Sequence, residues 1–281
     1  MRITILVGIM GMLMVGCSHI GSIDKSKIPG ETIYRLSTGQ EVALPLQYKN
    51  WKWMMATYTA PVNQIEKMLP SKLKPVLISP GKALISFGVL EYPNVSALKP
   101  YDEWLISIPV QYDPFVNLPF LPVLYNPLFP HGVYKKGGSY IYHLPVTTAE
   151  SHWAGSEIWG FPKVHRQIKC TEDANTKTCD LINSGEVVMS LQVEKIAVND
   201  DKREFAYCSY TEKDNQLLRT CIIASGNYDY TAFGKASIKF GKGKIAEEMS
   251  SLTLDKDDPL QVFYAENLDS ELPLEYERLE K

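Results

Sequence analysis

From residue 51 onward, apolar side chains fall into runs rich in β-branched and aromatic residues, separated by short polar turns. The runs WKWMMATYTA (51–60), KALISFGVLEY (82–92), EWLISIPVQY (103–112) and SYIYHLPVTT (139–148) have the composition of strands. So do EVVMSLQVEKIAV (186–198), REFAYCSYTE (203–212) and QLLRTCIIAS (216–225). Helical spacing shows in two places. In APVNQIEKMLP (60–70), Pro61 suits a first turn, Ile65, Met68 and Leu69 share one face, and Pro70 ends the segment. KIAEEMSSL (244–252) is the other predicted helix. No repeat period is visible, nor any alternation of strands with helices that would build a parallel sheet. The pattern predicts one α+β domain over 47–281, predominantly antiparallel β with a few short helices.

Two segments depart from this pattern. PFVNLPFLPVLYNPLFPHG (114–132) is apolar but studded with prolines, which bars both an interior helix and a central strand. A long loop results, expected to pack on the core, sit in a subunit contact or cover a site. At the N-terminus, MRITILVGIMGMLMVGC carries Arg2 and then an uncharged apolar run up to Gly16 and Cys17. That is the layout of a secretory signal peptide, and it is short for a transmembrane helix. LMVGC also resembles the lipobox of bacterial lipoproteins, with Met14 where leucine is usual. The expected organisation is a signal peptide at 1–16, a lipidated tether at 17–46, and an envelope location to which Ser18 adds a lean toward the outer membrane. A plain signal peptide or an uncleaved anchor is the competing reading. Cys17→Ser separates them: it should release the protein from the membrane fraction and remove an acyl mass from the N-terminal peptide.

The formal charge of −3 over 281 residues, with 45% hydrophobic residues, is ordinary globular composition. It offers no basic footprint for nucleic acid and no acidic solvating tail. With Cys17 assigned to the anchor, Cys170, Cys179, Cys208 and Cys221 remain, an even number that points to disulfides in an exported chain. Three connectivities are open. Cys170 and Cys179 flank the polar stretch TEDANTKT, and Cys208 and Cys221 flank SYTEKDNQLLRT, so local pairing is the simplest. No CxxC pair and no HExxH occurs, and His131, His143, His152 and His165 are scattered, so no metal site is expected.

The candidate chemistry centres on GSEIWGFPK (155–163), where one lysine directly follows a Gly-Phe-Pro turn. Alone, such a lysine reads as a solvated strand start. Three stretches together resemble the acetoacetate decarboxylase family. GSEIWGFPK is similar to its G-R-E-x-x-(G/A)-(Y/F)-P-K, YDEWLISIPV (101–110) to its Y-x-E-x-x-x-x-IPV, and ATYTAPVNQIEKMLP (56–70) to its opening strand, short helix and L-P. The resemblance covers about residues 50–170 and implies a closed, cone-like β-barrel wrapped by further antiparallel strands. It implies Lys163 as a Schiff-base amine, Glu103 as an active-site carboxylate, Glu157 as a supporting carboxylate beside the lysine, and no cofactor. It also implies a small carbonyl compound such as a β-keto acid as substrate, and assembly as a homo-oligomer.

That chemistry makes a physical demand. An ordinary lysine, with pKa about 10.4, is neutral about once in 2,500 molecules at pH 7. An imine-forming lysine therefore needs surroundings that lower this value by about 3–4, through burial or a neighbouring cation. The family's second lysine is Val164 here, and its arginines fall at Trp51 and Ser156, with Lys52 expected on the opposite face of the strand. Trp159, Phe161 and the proline-rich loop are the expected apolar walls. The alternative to an enzyme is a lipoprotein that binds an apolar ligand on the same fold.

Overall fold

Each of the long strand-forming runs finds its neighbour in chain order. The computed structural model describes residues 32–280, apart from 118, 120–135, 199, 233, 256–258 and 275. Its centre is a ring of seven strands. The first four are β1 (Leu46–Pro61), β2 (Lys82–Tyr92), β3 (Tyr101–Tyr112) and β4 (Gly137–Val146). After a long crossover come β5 (Arg203–Lys213), β6 (Gln216–Ala232) and β7 (Gln261–Leu272), and β7 pairs back with β1 to close the barrel. Strands that alternate in direction cannot close an odd-numbered ring without one like-directed pair. That pair is β4 with β5, in register at Ser139 with Ser209 and Tyr140 with Tyr210; every other contact around the ring is antiparallel.

Parallel neighbours need a connection that carries the chain back to the starting end, and residues 147–202 supply it. They hold a helix (Ala149–Trp159), a short strand (Lys163–His165) that adds in parallel to the end of β4, and three strands at 167–172, 176–183 and 186–194. With 236–240, these three form an antiparallel sheet of four strands outside the barrel. The barrel wall is thereby buried on both faces. On β1, Met54, Ala56, Tyr58 and Ala60 join Leu181, Met189 and Leu191 of the outer sheet in one core. Trp51, Trp53 and Met55 point the other way, into a second core inside the barrel with Leu105, Leu144 and Phe263. Burial on both faces is why these strands read as continuous apolar runs. The buried Lys177 of the outer sheet adds an ion pair to Glu91 on β2.

Three short helices complete the described fold: α1 (Val62–Ile65, continued by a 3₁₀ turn at Glu66–Met68), α2 (Ala149–Trp159) and α3 (Lys244–Ser251). The first and last lie where helical spacing predicts them; α2 does not show in the apolar pattern. No described helix is long and apolar enough to cross a membrane. Residues 1–31, with the expected signal peptide and Cys17, and nearly all of the proline-rich segment 114–132 lie outside the described residues.

The expected tether ends sooner than residue 46. Thr32–Arg35 and Glu41–Leu44 pair as a hairpin, and Leu36, Val42, Leu44 and Leu46 are buried in the inner core. The spacing 42, 44, 46 puts three apolar side chains on one face of an extended chain, which is the burial that a polar average over 18–46 conceals.

Cys170–Cys179 and Cys208–Cys221 are disulfide-bonded, each between directly opposed residues of adjacent antiparallel strands. Replacing either pair with alanine is expected to lower unfolding free energy by about 2–3 kcal/mol, since each bond closes a short loop in the unfolded chain. Denaturant titration without reductant measures this, and an unchanged midpoint for both variants contradicts it.

Candidate active site

Helix α2 places the lysine. Its N-cap is Thr148, whose side-chain oxygen accepts from the Ser151 N–H at 3.2 Å. The face against the barrel is Ser151, Ala154, Gly155, Ile158 and Trp159, the i, i+3, i+4, i+7, i+8 stripe of an amphipathic helix. At its C-terminus Gly160 takes φ +68°, and the left-handed turn reverses the chain. A Cβ there would also lie 2.8 Å from the Glu212 carbonyl oxygen, so glycine is required twice over. Pro162 follows, and the Lys163 N–H donates back to the Phe161 carbonyl at 2.7 Å, a tight three-residue turn. The chain then enters the Lys163–His165 strand, with Lys163 opposite Leu144 of β4.

From there the lysine side chain runs inward across Gly155. A Cβ at Gly155 would lie 2.5 Å from Lys163 Cδ and Cε and 3.0 Å from Nζ, so the bare glycine is the opening through which the side chain passes. Nζ ends 2.6 Å from Oε1 of Glu103, which reaches in from β3. Lys163 is 7% exposed and Glu103 6%. The ammonium also lies 5.0 Å from the centre of the Tyr101 ring and 5.7 Å from that of Phe161.

The pair stands in the wall of a cavity of about 80 Å³ inside the barrel. Tyr48, Trp51, Trp53, Tyr92, Phe161 and Tyr207 supply its aromatic lining, with Leu90, Leu105, Ile141 and Leu144 between them. Tyr48 and Tyr101 share a hydrogen bond of 3.1 Å, and the Tyr92 hydroxyl makes a long contact of 3.5 Å to Oε2 of Glu103. Burial pushes the phenols of Tyr48, Tyr92 and Tyr101 above the ordinary tyrosine range, and the charge of Glu103 adds to it. These hydroxyls therefore stay protonated and act as neutral hydrogen-bond partners.

Lys163 and Glu103 are thus brought together, and Glu157 is not. Its carboxylate accepts from the Ser37 N–H at 2.8 Å and the Ser37 hydroxyl at 2.5 Å, so it fastens the N-terminal hairpin to α2 on the outside. Positions two apart on a helix face different sides; with Gly155 turned to the lysine, Glu157 cannot be. The expected supporting carboxylate is a structural anchor. Val164 and Lys52 are likewise absent from the cavity lining, whereas Trp51 is part of it. Trp159, expected as a wall, is buried beside it with its indole N–H donating to the Pro273 carbonyl at 2.7 Å. Ser156 donates to the Phe161 carbonyl at 3.1 Å and so shapes the turn. Tyr48, Tyr92, Tyr207 and Trp53 escape the motif reading, and Tyr101 stands in the quoted motif without an assigned role. Alternation along the strands could have found them: once Glu103 faces inward, Tyr101 and Leu105 do too. No cluster of metal-ligating side chains occurs among the described residues.

The family model described as Acetoacetate decarboxylase (ADC) matches residues 34–258. No curated protein shows significant sequence similarity to the chain. Among solved structures, the acetoacetate decarboxylase of Legionella pneumophila is similar at 16% identity and a TM-score of 0.57, over 84% of this chain and 87% of that one. The enduracididine biosynthesis enzyme MppR is similar at 14% identity and a TM-score of 0.57, over 92% and 99%. An acetoacetate decarboxylase-like enzyme of Sphingomonas wittichii RW1 gives 14% identity and a TM-score of 0.52, over 90% and 100%.

Proposed function

Because the chain belongs to the acetoacetate decarboxylase family, a family of enzymes, we propose that it is a Schiff-base enzyme in which Lys163 forms an imine with a small carbonyl compound. The observation that carries this reading is the buried contact of 2.6 Å between Lys163 Nζ and Glu103 Oε1 at the wall of a cavity lined by aromatic side chains. A lysine with its only carboxylate partner in a water-poor pocket is a poor surface ion pair and a good proton-transfer pair. The structure of MppR with pyruvate supports a small carbonyl ligand for a barrel of this kind.

The steps follow from the geometry. Glu103 takes the ammonium proton across the short contact, and the freed amine attacks the carbonyl carbon. Glu103 returns that proton to the new alkoxide, removes one from the carbinolamine nitrogen, and delivers it to the departing hydroxyl as water leaves. The product is a protonated imine beside a carboxylate, the same two charges as at the start. A positive C=N then draws electrons from the bond one atom away, whether that bond is to CO2 or to hydrogen.

Borohydride reduction in the presence of acetylacetone, acetoacetate or pyruvate tests the reading. The expected result is a reduced adduct on the peptide containing GFPK, absent without the carbonyl compound. If no carbonyl compound in the panel labels Lys163, the cavity binds without covalent chemistry and the enzyme reading falls.

A further inference from the structure

We propose that the cavity selects uncharged carbonyl compounds over keto acids. This rests on the imine reading of Lys163 above and adds the class of substrate.

Charge comes first. Lys163 and Glu103 are the only ionisable side chains of fixed charge among the described residues that line the cavity, and they neutralise each other. A ligand carboxylate would enter as a second anion with no second cation among the described residues of the lining to meet it. Imine formation does not relieve this, because the positive nitrogen is still matched by Glu103. Taking an unpaired carboxylate out of water into an apolar site is unfavourable, and the Glu103 charge adds repulsion. A ketone or aldehyde without a charge meets neither penalty.

The second observation is the rest of the lining. Trp51, Trp53, Leu90, Leu105, Ile141 and Leu144 present carbon to the cavity, and the indole nitrogens of Trp51 and Trp53 are themselves buried from it, so the lining suits an uncharged carbon skeleton.

A substrate without a carboxylate has no CO2 to release. From its protonated imine, Glu103 removes the α-proton, and the electron pair of that C–H bond enters the system as an enamine while the nitrogen loses its positive charge. Atoms and charges balance without any added oxidant or reductant, and the enamine is a carbon nucleophile for addition to a second carbonyl compound.

Matched pairs test this: acetylacetone against acetoacetate, and butane-2,3-dione against pyruvate, each rate of borohydride trapping on Lys163 divided by that on butylamine. The uncharged member is expected to label at least about tenfold faster, roughly the effect of a 1.4 kcal/mol difference. Equal or faster labelling by the keto acids overturns the selectivity while leaving the imine reading intact. If no probe labels Lys163 at all, the imine reading and this inference fall together.

Discussion

Lys163→Ala is expected to yield no borohydride-stable adduct with any carbonyl probe and to lose turnover by about 10⁵-fold, the scale on which a held nucleophile exceeds one free in solution. No other described lysine lines the cavity, so nothing stands in for it. The substitution also strands Glu103, 6% exposed, without its cation. Breaking a buried pair from one side typically costs about 3–5 kcal/mol, so loss of activity in this variant has to be read beside its unfolding midpoint. Glu103→Gln is the cleaner partner experiment, because it keeps the shape and leaves the lysine in place. Its labelling is expected to fall about 10²–10⁴-fold, the usual size of a general acid–base contribution. It should recover as pH rises, since hydroxide then removes the ammonium proton in place of the carboxylate. Labelling of Glu103→Gln that equals the unmodified protein at neutral pH would assign the carboxylate a structural role alone.

Gly155→Ala is the second large effect. The added methyl would lie 2.5 Å from Lys163 Cδ and Cε. These atoms belong to a buried side chain whose amine is held 2.6 Å from Glu103, so moving them disturbs that pair. Within helix α2, alanine is favoured over glycine by about 1 kcal/mol. The helix gain offsets only part of the cost of disturbing the buried pair, and stability is expected to fall by about 1–3 kcal/mol. The lysine is also pushed off its path, and a displacement of about 1 Å can cost about 100-fold in rate. The measurement is the trapping rate at Lys163 alongside the unfolding midpoint. A large fall in the midpoint with normal trapping would show that Gly155 serves packing and not the passage of the lysine.

The strands were legible because their side chains are apolar on both faces, as in β1 and β3. Helix α2 was not, and its composition explains why. Its buried stripe includes Ser151 and Gly155, which carry no apolar weight, so the helical period vanishes from the apolar pattern although the residues occupy it. The punctuation was present: Thr148 before the helix, and Gly160 and Pro162 after it. The hairpin at 32–44 was hidden because its apolar positions are few and need the barrel to bury them. In the site, the sequence motif named Lys163 and Glu103, and the fold brings these two side chains together at the cavity wall. The motif misplaced Glu157, since adjacency in a motif says nothing about which side of a helix a residue takes. The cavity itself is a product of ring closure, which no local pattern encodes.

As the chain is made, Glu103 and Lys163 both exist before any of β5, β6 or β7. Tyr207, Ser209, Ile222, Ser270 and Leu272, which complete the cavity wall, are all synthesised after the lysine. The ring closes only when residues 261–272 reach β1, a pairing between distant parts of the chain that is slow to form. Until then Lys163 stands open to water, without the cavity in which imine formation is proposed. Chain order thus fixes a birth order for the site: the lysine is laid down mid-chain, and its pocket is complete only when the last barrel strand has arrived.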